Sequence, residues 1–335
     1  MEDSRRSSAL RECRLGVAFG RESFLYSFPQ GNPMNASRLT EFAEFLDGRA
    51  GRGDGEHRVR LVEPVAGNEE DLLTFHTQQY IDRVKEASRT GEGSLDREDT
   101  PAFEGVFEAS LFPVGNTLNG LRMIMNGTVD HFFNPVGGLH HAGPAEARGF
   151  CVFNDSVIAI SRALNDYKLR SVAYVDIDAH HGDGVYYEFE PDPRVIIGDV
   201  HEDGRFLYPG TGDDRETGSG FGLGTKMNIG LPPGSGDAEF FEAFNRVEEF
   251  VRRSRPQMIF FQCGADGLAG DPITDLRYTA SAHSYASMRL HRLAHEMCDG
   301  RILAMGGGGY NSKNVSAAWS AVVNELSGAL AHVGA

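Results

Sequence analysis

The sequence predicts an α/β fold around a mainly parallel sheet, and two observations carry that expectation. Short apolar runs alternate with amphipathic segments along the 335 residues, as when strands buried on both faces are joined by crossover helices. Several runs also end in polar or glycine-rich clusters, as expected where an open sheet gathers its reactive groups beyond the carboxyl ends of its strands. The strand-like runs are "LGVAF" (15–19), "SVAYVDID" (171–178), "RVIIGDV" (194–200), "QMIFFQCGAD" (257–266) and "RILAMGGGG" (301–309). Helical periodicity falls over 37–46, 70–88, 104–126, 154–165, 237–254, 281–298 and 314–328.

The glycine-rich stretches 47–57 and 213–224 do not separate two differently composed halves, so they read as surface loops of one domain. The polar opening "MEDSRRSSALRE" reads as a mobile tail over 1–13, ahead of a single domain over 14–330. No repeat at a fixed spacing is visible, which argues against a solenoid or propeller.

Lys and Arg number 32 against 48 Asp and Glu, a net charge of −16, which disfavours direct nucleic-acid binding and suits a cationic substrate. Cys13, Cys151, Cys263 and Cys298 form no C-x-x-C pair, and no apolar signal region opens the chain, so a reduced, cytoplasmic protein is expected. No apolar run approaches the ~18 residues of a membrane span.

Three clusters carry chemistry. In "VAYVDIDAHHGDG" (172–184), strand alternation would put Asp176, Asp178 and His180 on one face. A second apolar run ends in "CGADG", which places Asp266 at a neighbouring strand tip. Asp178, His180 and Asp266 would then hold a tetrahedral metal with one position open, as a catalytic zinc requires. A lone aspartate at a strand end commonly caps the next helix, but five ionisable groups within eight residues exceed what capping needs.

The second cluster, "GGLHHAGPAEARGFCVFND" (137–155), sets His140 beside His141. Near an activated water, one imidazole could accept a proton while the other stays charged, each backed by one of the remaining carboxylates, Asp176 and Asp183. The third, "MGGGGYN" (305–311), reads as a close-approach loop that delivers Tyr310, whose hydroxyl could donate to an oxyanion.

In their order, "GGLHHA", "GFCVFND", "VDIDAHHGDG", "PGTG", "CGADG", "DPIT" and "GGGGYN" resemble the zinc-dependent histone deacetylase superfamily, closest to its bacterial acetoin-utilisation type. The resemblance runs from "GNPMNASRL" to about residue 325. It implies a three-layer α/β/α sandwich of the arginase and deacetylase kind, with a central, mainly parallel sheet of eight strands. It also implies that Asp178, His180 and Asp266 bind one catalytic Zn²⁺, that His141 is the general base and later the acid, and that His140 is its electrostatic partner. Asp183 and Asp176 would orient these two histidines respectively, and Tyr310 would polarise the acetyl carbonyl.

By the same resemblance Gly149, Phe150 and Tyr208 wall a narrow channel for a lysine side chain, Ile273 sits at its mouth, and Asp99 holds the substrate backbone at the rim. Arg38 would meet released acetate in an internal cavity. A monovalent cation, K⁺ or Na⁺, is implied beside Asp176, Asp178 and His180, where Asp199 replaces the family's usual serine. Asn32 likewise stands before Pro33 in place of the more usual histidine.

The implied reaction is zinc-dependent hydrolysis of an acetyl group from the ε-amine of lysine in a protein or peptide, with acetylpolyamines or other small acylated amines as the alternative substrates. A binuclear manganese ureohydrolase shares the "DAH" string, but "CGAD" supplies one aspartate where such a site wants a D-x-D pair. A noncatalytic acyl- or partner-binding scaffold would be favoured by loss of a ligand, a histidine or the tyrosine, and none is lost.

Overall fold

The computed structural model describes residues 13–29, 31–50, 59–96 and 99–328. Eight strands form one sheet: β1 Leu15–Ala18, β2 Val59–Val62, β3 His131–Asn134, β4 Val172–Asp176, β5 Val195–Glu202, β6 Lys226–Leu231, β7 Ile259–Gln262 and β8 Ile302–Met305. Their order is β2-β1-β3-β8-β7-β4-β5-β6, and every neighbouring pair is parallel. The α-helices are α1 Thr40–Ala50, α2 Glu69–Leu72, α3 Gln78–Thr90, α4 Val106–Met125, α5 Asp155–Asn165, α6 Asp183–Phe189, α7 Asp237–Ser254, α8 Ala280–Met297 and α9 Ser312–Leu326.

Alternation along the strands divides the core into two layers. Phe133, Val175, Phe261 and Ala304 pack with Phe42, Phe244, Leu290 and Trp319 from α1, α7, α8 and α9. Their chain neighbours Phe132, Tyr174, Phe260 and Leu303 pack on the other face with Leu121, Ile160 and Val185 from α4, α5 and α6. Each large apolar side chain so buried contributes about 1.5–3 kcal/mol, which is why the central strands contain almost no polar residue before their carboxyl ends. A third cluster, including Tyr26, Phe28, Tyr80, Phe150 and Phe153, packs beneath the loops at one end of the sheet.

The chain lays down β4, β5 and β6 outward, then returns so that β7 and β8 fill the space between β4 and β3. The loops after these four central strands therefore face one another, where an open α/β sheet binds its ligand.

Three strands carry no continuous apolar run. The edge strand β2 is only half-buried, β3 begins and ends on His131 and Asn134, and β6 contains Lys226, Asn228 and Gly230. Lys226 is tolerated inside because its Nζ donates to the carbonyls of Val195, at 2.7 Å, and Asp192, at 3.1 Å; burial pulls its pKa down to about 8. The strand expected over 171–178 ends at Asp176. The helix expected over 70–88 is two helices, because Thr77 leaves helical geometry, donates its N–H to Pro144 and caps α3 at Tyr80. Helix α6 begins on Asp183 itself, inside the polar motif.

Of the expected tail, residues 1–12 lie outside the described residues, and Cys13 is buried; of the expected 47–57 loop, 47–50 complete α1 and 51–57 lie outside the described residues. Among the described residues no helix is long and apolar enough to cross a membrane, and all four cysteines are buried and unbridged.

Candidate active site

Beyond Asp176 the backbone leaves the sheet, and short side-chain turns replace extended geometry. Asp176 Oδ1 accepts from the N–H of Asp178 at 3.0 Å, and Asp178 Oδ1 accepts from the N–H of His180 at 3.0 Å. Each carboxylate thus shapes the two residues that follow it. His180 Nδ1 lies 3.1 Å from Asp178 Oδ1 and 3.0 Å from Asp266 Oδ2, so one ligand atom from each of the three converges.

The outward oxygens are already fixed. Gln262 Nε2 and the Gly308 N–H each donate to Asp178 Oδ2 at 2.8 Å, while the Ala179 N–H donates to Asp266 Oδ1 at 2.8 Å. Only the inward oxygens and the imidazole nitrogen remain for an ion, a donor set that fits zinc. A Cβ on Gly264 would stand 2.0 Å from Asp178 Oδ2, and one on Gly308 would stand 2.2 Å from Asp266 Oδ2. These two glycines are therefore part of how the carboxylates reach their places. Burial disfavours charge on His180, but Asp178 and Asp266 outweigh it and raise its pKa to about 10. A divalent cation would take the place of that shared proton.

The histidine pair stands beside this cluster with Nε2 atoms 3.1 Å apart. His140 Nδ1 meets Asp176 Oδ2 at 2.8 Å, and His141 Nδ1 meets Asp183 Oδ1 at 2.6 Å. Burial works against charge on both rings, yet they diverge. Asp176 and Asp178 overcome burial at His140 and lift it to about 9, whereas burial and the neighbouring His140 hold His141 down at about 4 despite Asp183. The two rings are thus pushed apart, His140 toward the imidazolium and His141 toward the neutral base, while burial lifts Asp176 itself to about 7.

The spacing of the sequence assigns no role to several supports, although Arg148, Asn154 and Asp155 lie in the segment 137–155. The Tyr174 hydroxyl donates to Asp176 Oδ2 at 2.7 Å, and Arg148 lies 3.4 Å from Asp183 Oδ2. Asp155, at the start of α5, accepts from the N–H groups of Gly138 and Leu139, while Asn154 Nδ2 donates to the carbonyls of His140 and Ala142. Alternation could have exposed Tyr174, two residues before Asp176; Asn154 and Asp155 reach back 12–17 positions within their own segment, and Arg148 meets Asp183 from 35 positions away.

Gly149 has φ +51, and a Cβ there would stand 2.5 Å from the His141 ring. Phe150 also adopts a left-handed backbone, φ 63, held by the Thr100 hydroxyl on its N–H and the Tyr26 hydroxyl on its carbonyl. Strain at a bulky residue marks a position determined by its surroundings. Its ring meets Tyr310 edge-on at 5.8 Å, and Tyr208 meets His141 similarly at 5.2 Å. Tyr208 and Asp183 share a pocket of about 320 Å³; Phe150, Asn32 and Asp99 line another of about 540 Å³. Ile273 packs partly buried near Phe150 and Tyr310 in the third core cluster. Tyr310 is positioned by its N–H, which donates to Asp271 Oδ2 at 2.8 Å.

Arg38 is buried, with Nε donating to the Gly309 carbonyl and Nη2 to that of Gly307, both at 2.7 Å. It clamps the glycine loop that carries Tyr310, and Nη1 faces Met34 Sδ at 3.3 Å. Asp199 pairs across the ladder with Asp176, but its Oδ1 meets His201 Nδ1 at 2.6 Å and its Oδ2 accepts from the Gly182 N–H. Burial works against charge on His201, and Asp199 outweighs it and raises its pKa.

A family model described as the histone deacetylase domain matches residues 32–326. The chain is 39% identical over 312 residues to the acetoin utilization protein AcuC of Bacillus subtilis (strain 168), covering 90% of this chain and 79% of that protein. It is 34% identical to AcuC of Staphylococcus xylosus, covering 93% and 82%. The crystal structure of the HDA15 HD domain superposes with a TM-score of 0.84 at 27% identity, covering 96% of this chain and 91% of that one.

Proposed function

The chain belongs to the histone deacetylase family, and from that premise we propose that it is a zinc-dependent amidohydrolase that removes acetyl groups from the ε-amine of lysine in proteins or peptides and releases acetate. The observation that supports this best is the pair of adjacent histidines, pushed toward opposite protonation states, beside a carboxylate-imidazole-carboxylate cluster. Zn²⁺ held by Asp178, His180 and Asp266 would supply Lewis acidity to the acetyl carbonyl and to water.

The protein's own groups supply the rest. His141 Nε2 takes the proton of the attacking water and later returns it to the leaving amine, while Asp183 keeps the Nδ1 proton in place. His140 stays charged through Asp176 and stabilises negative charge as it develops. Tyr310, whose phenol burial and the nearby Asp266 keep protonated, donates to the acetyl oxygen. The lysine methylenes lie between Phe150 and Tyr208 beside Gly149, with Ile273 at the mouth and Asp99 engaging the substrate backbone. Arg38 Nη1 is the nitrogen that released acetate would meet.

A monovalent cation, K⁺ or Na⁺, beside Asp176, Asp178 and His180 belongs to the same proposal, and Asp199 enters it with one oxygen already engaged by His201 Nδ1 at 2.6 Å. The unbridged buried thiols support a cytoplasmic setting.

The deciding experiment measures acetate release from an acetyl-lysine peptide and an acetylpolyamine side by side on zinc-loaded protein, with a hydroxamate control. Hydroxamate-sensitive release that favours the peptide is expected. Release only from the polyamine would move the substrate to small amines, and no release from either would favour the scaffold reading.

A further inference from the structure

At the opposite end of the sheet, four side chains outside the deacetylase centre converge. Cys13 lies just ahead of β1, His131 opens β3, and His291 and His295 stand one turn apart on α8, which leads into β8. All strands are parallel, so this is the end at which β1, β3 and β8 begin, away from the loops that carry the catalytic residues. Cys13 Sγ is 3.3 Å from His291 Nε2 and 3.2 Å from His295 Nε2, and His295 Nε2 is 3.3 Å from His131 Nε2. One ligand atom from each of the four lies within 4.8 Å of the other three.

The Cys13–His291, Cys13–His295 and His131–His295 separations approach those of a coordination shell. Zn–N bonds of about 2.0–2.1 Å and a Zn–S bond of about 2.3 Å, arranged tetrahedrally, put neighbouring ligand atoms roughly 3.3–3.6 Å apart. The rings meet edge-on or tilted with centroids 4.7, 5.2 and 4.9 Å apart, so they surround a point and do not stack past one another. His291 Nδ1 donates to the Glu325 carbonyl at 2.8 Å, which leaves the Nε2 lone pair turned to the cluster. Burial and the neighbouring imidazoles hold His131 well below its ordinary value and His291 down at about 4, so both rings are neutral as metal ligation requires.

We propose that Cys13, His131, His291 and His295 form a second zinc site, structural in kind, that ties the segment entering β1 to β3 and α8. Four protein ligands close the coordination sphere and leave no position for substrate, and one thiolate with three imidazoles selects zinc over magnesium or calcium. The i, i+4 spacing of His291 and His295 places both on one helix face, the arrangement by which a single helix presents two zinc ligands. This site is independent of the deacetylase centre, and detecting its metal does not need turnover.

The test replaces zinc with cobalt in the full chain. The candidate active-centre ligands are oxygen and nitrogen donors, so a sulfur-to-cobalt charge-transfer band that Cys13→Ser abolishes reports Cys13. The wild type is expected to bind two metal ions per chain, and Asp266→Ala to bind one while keeping the full band. Cys13→Ser should lose the band and one equivalent of metal, with acetyl-lysine turnover within twofold of wild type at 25 °C and a lowered Tm. An Asp266→Ala protein that binds no metal, or binds cobalt without the sulfur band, would overturn the second site. Asp266→Ala leaves the cluster untouched, so it decides the matter even if Cys13→Ser fails to fold.

Discussion

His140 and His141 are adjacent in sequence and yet pushed in opposite directions, the first toward the charged and the second toward the neutral ring, because two carboxylates serve the first and only one serves the second beside a cationic neighbour. Activity on an acetyl-lysine peptide should require His141 neutral and His140 protonated. The pH profile of kcat/KM should therefore rise through an acid limb, hold across neutrality and fall on an alkaline limb governed by His140. Asp176→Asn removes a carboxylate that lifts His140, so its alkaline limb should move to lower pH; an unmoved limb would sink the assignment. Tyr310→Phe should cut kcat by about 10²-fold or more, the scale of losing one oxyanion donor, with metal content unchanged. The candidate ligands and histidines were legible because each lies in a short motif whose spacing has few other uses. Asp155 and Arg148 lie in the segment 137–155 but their spacing does not reveal what they brace, and Gln262 was not legible because its partner Asp178 lies 84 positions earlier.

The glycine-rich turn after β8 acts as a fitted surface, with Gly308 against Asp266 and Gly307 held through its carbonyl by Arg38. Gly308→Ala should displace Asp266 from the active-site cluster, so one of the two expected equivalents of zinc, measured after dialysis, should be lost while the far-ultraviolet circular dichroism stays native. Helix α4 makes a different close approach: a Cβ on Gly115 would lie 2.2 Å from the backbone of both Gly67 and Val65. Gly115→Ala should destabilise the protein by about 1–3 kcal/mol in urea unfolding, the cost of an overpacked contact, with KM little changed. The elements with continuous apolar runs were readable from periodicity. β2, β3 and β6 were not, because an exposed edge or a satisfied buried lysine removes the run on which that reading depends.

The net charge of −16 surrounds a site that also buries Asp176, Asp178, Asp183, Asp199 and Asp266. A lysine-rich acetylated peptide should be drawn to such a molecule. Its KM should rise several-fold between about 20 and 200 mM salt while that of an uncharged peptide stays flat, because screening acts on exposed charge. Equal salt responses would show that the molecular charge does not steer the substrate. The parallel α/β class, the Asp178, His180 and Asp266 cluster and the neighbouring His140 and His141 could be read from sequence, since buried strands demand apolar runs and the site chemistry lies in local spacing at their ends; which carboxylate meets which histidine was implied only by the resemblance. The strand order, the separate tasks of Asp199 and Arg38, and the meeting of Cys13 with His131, His291 and His295 were decided only by tertiary structure. Those contacts join residues up to 282 positions apart, and no local pattern encodes which strand will lie beside which.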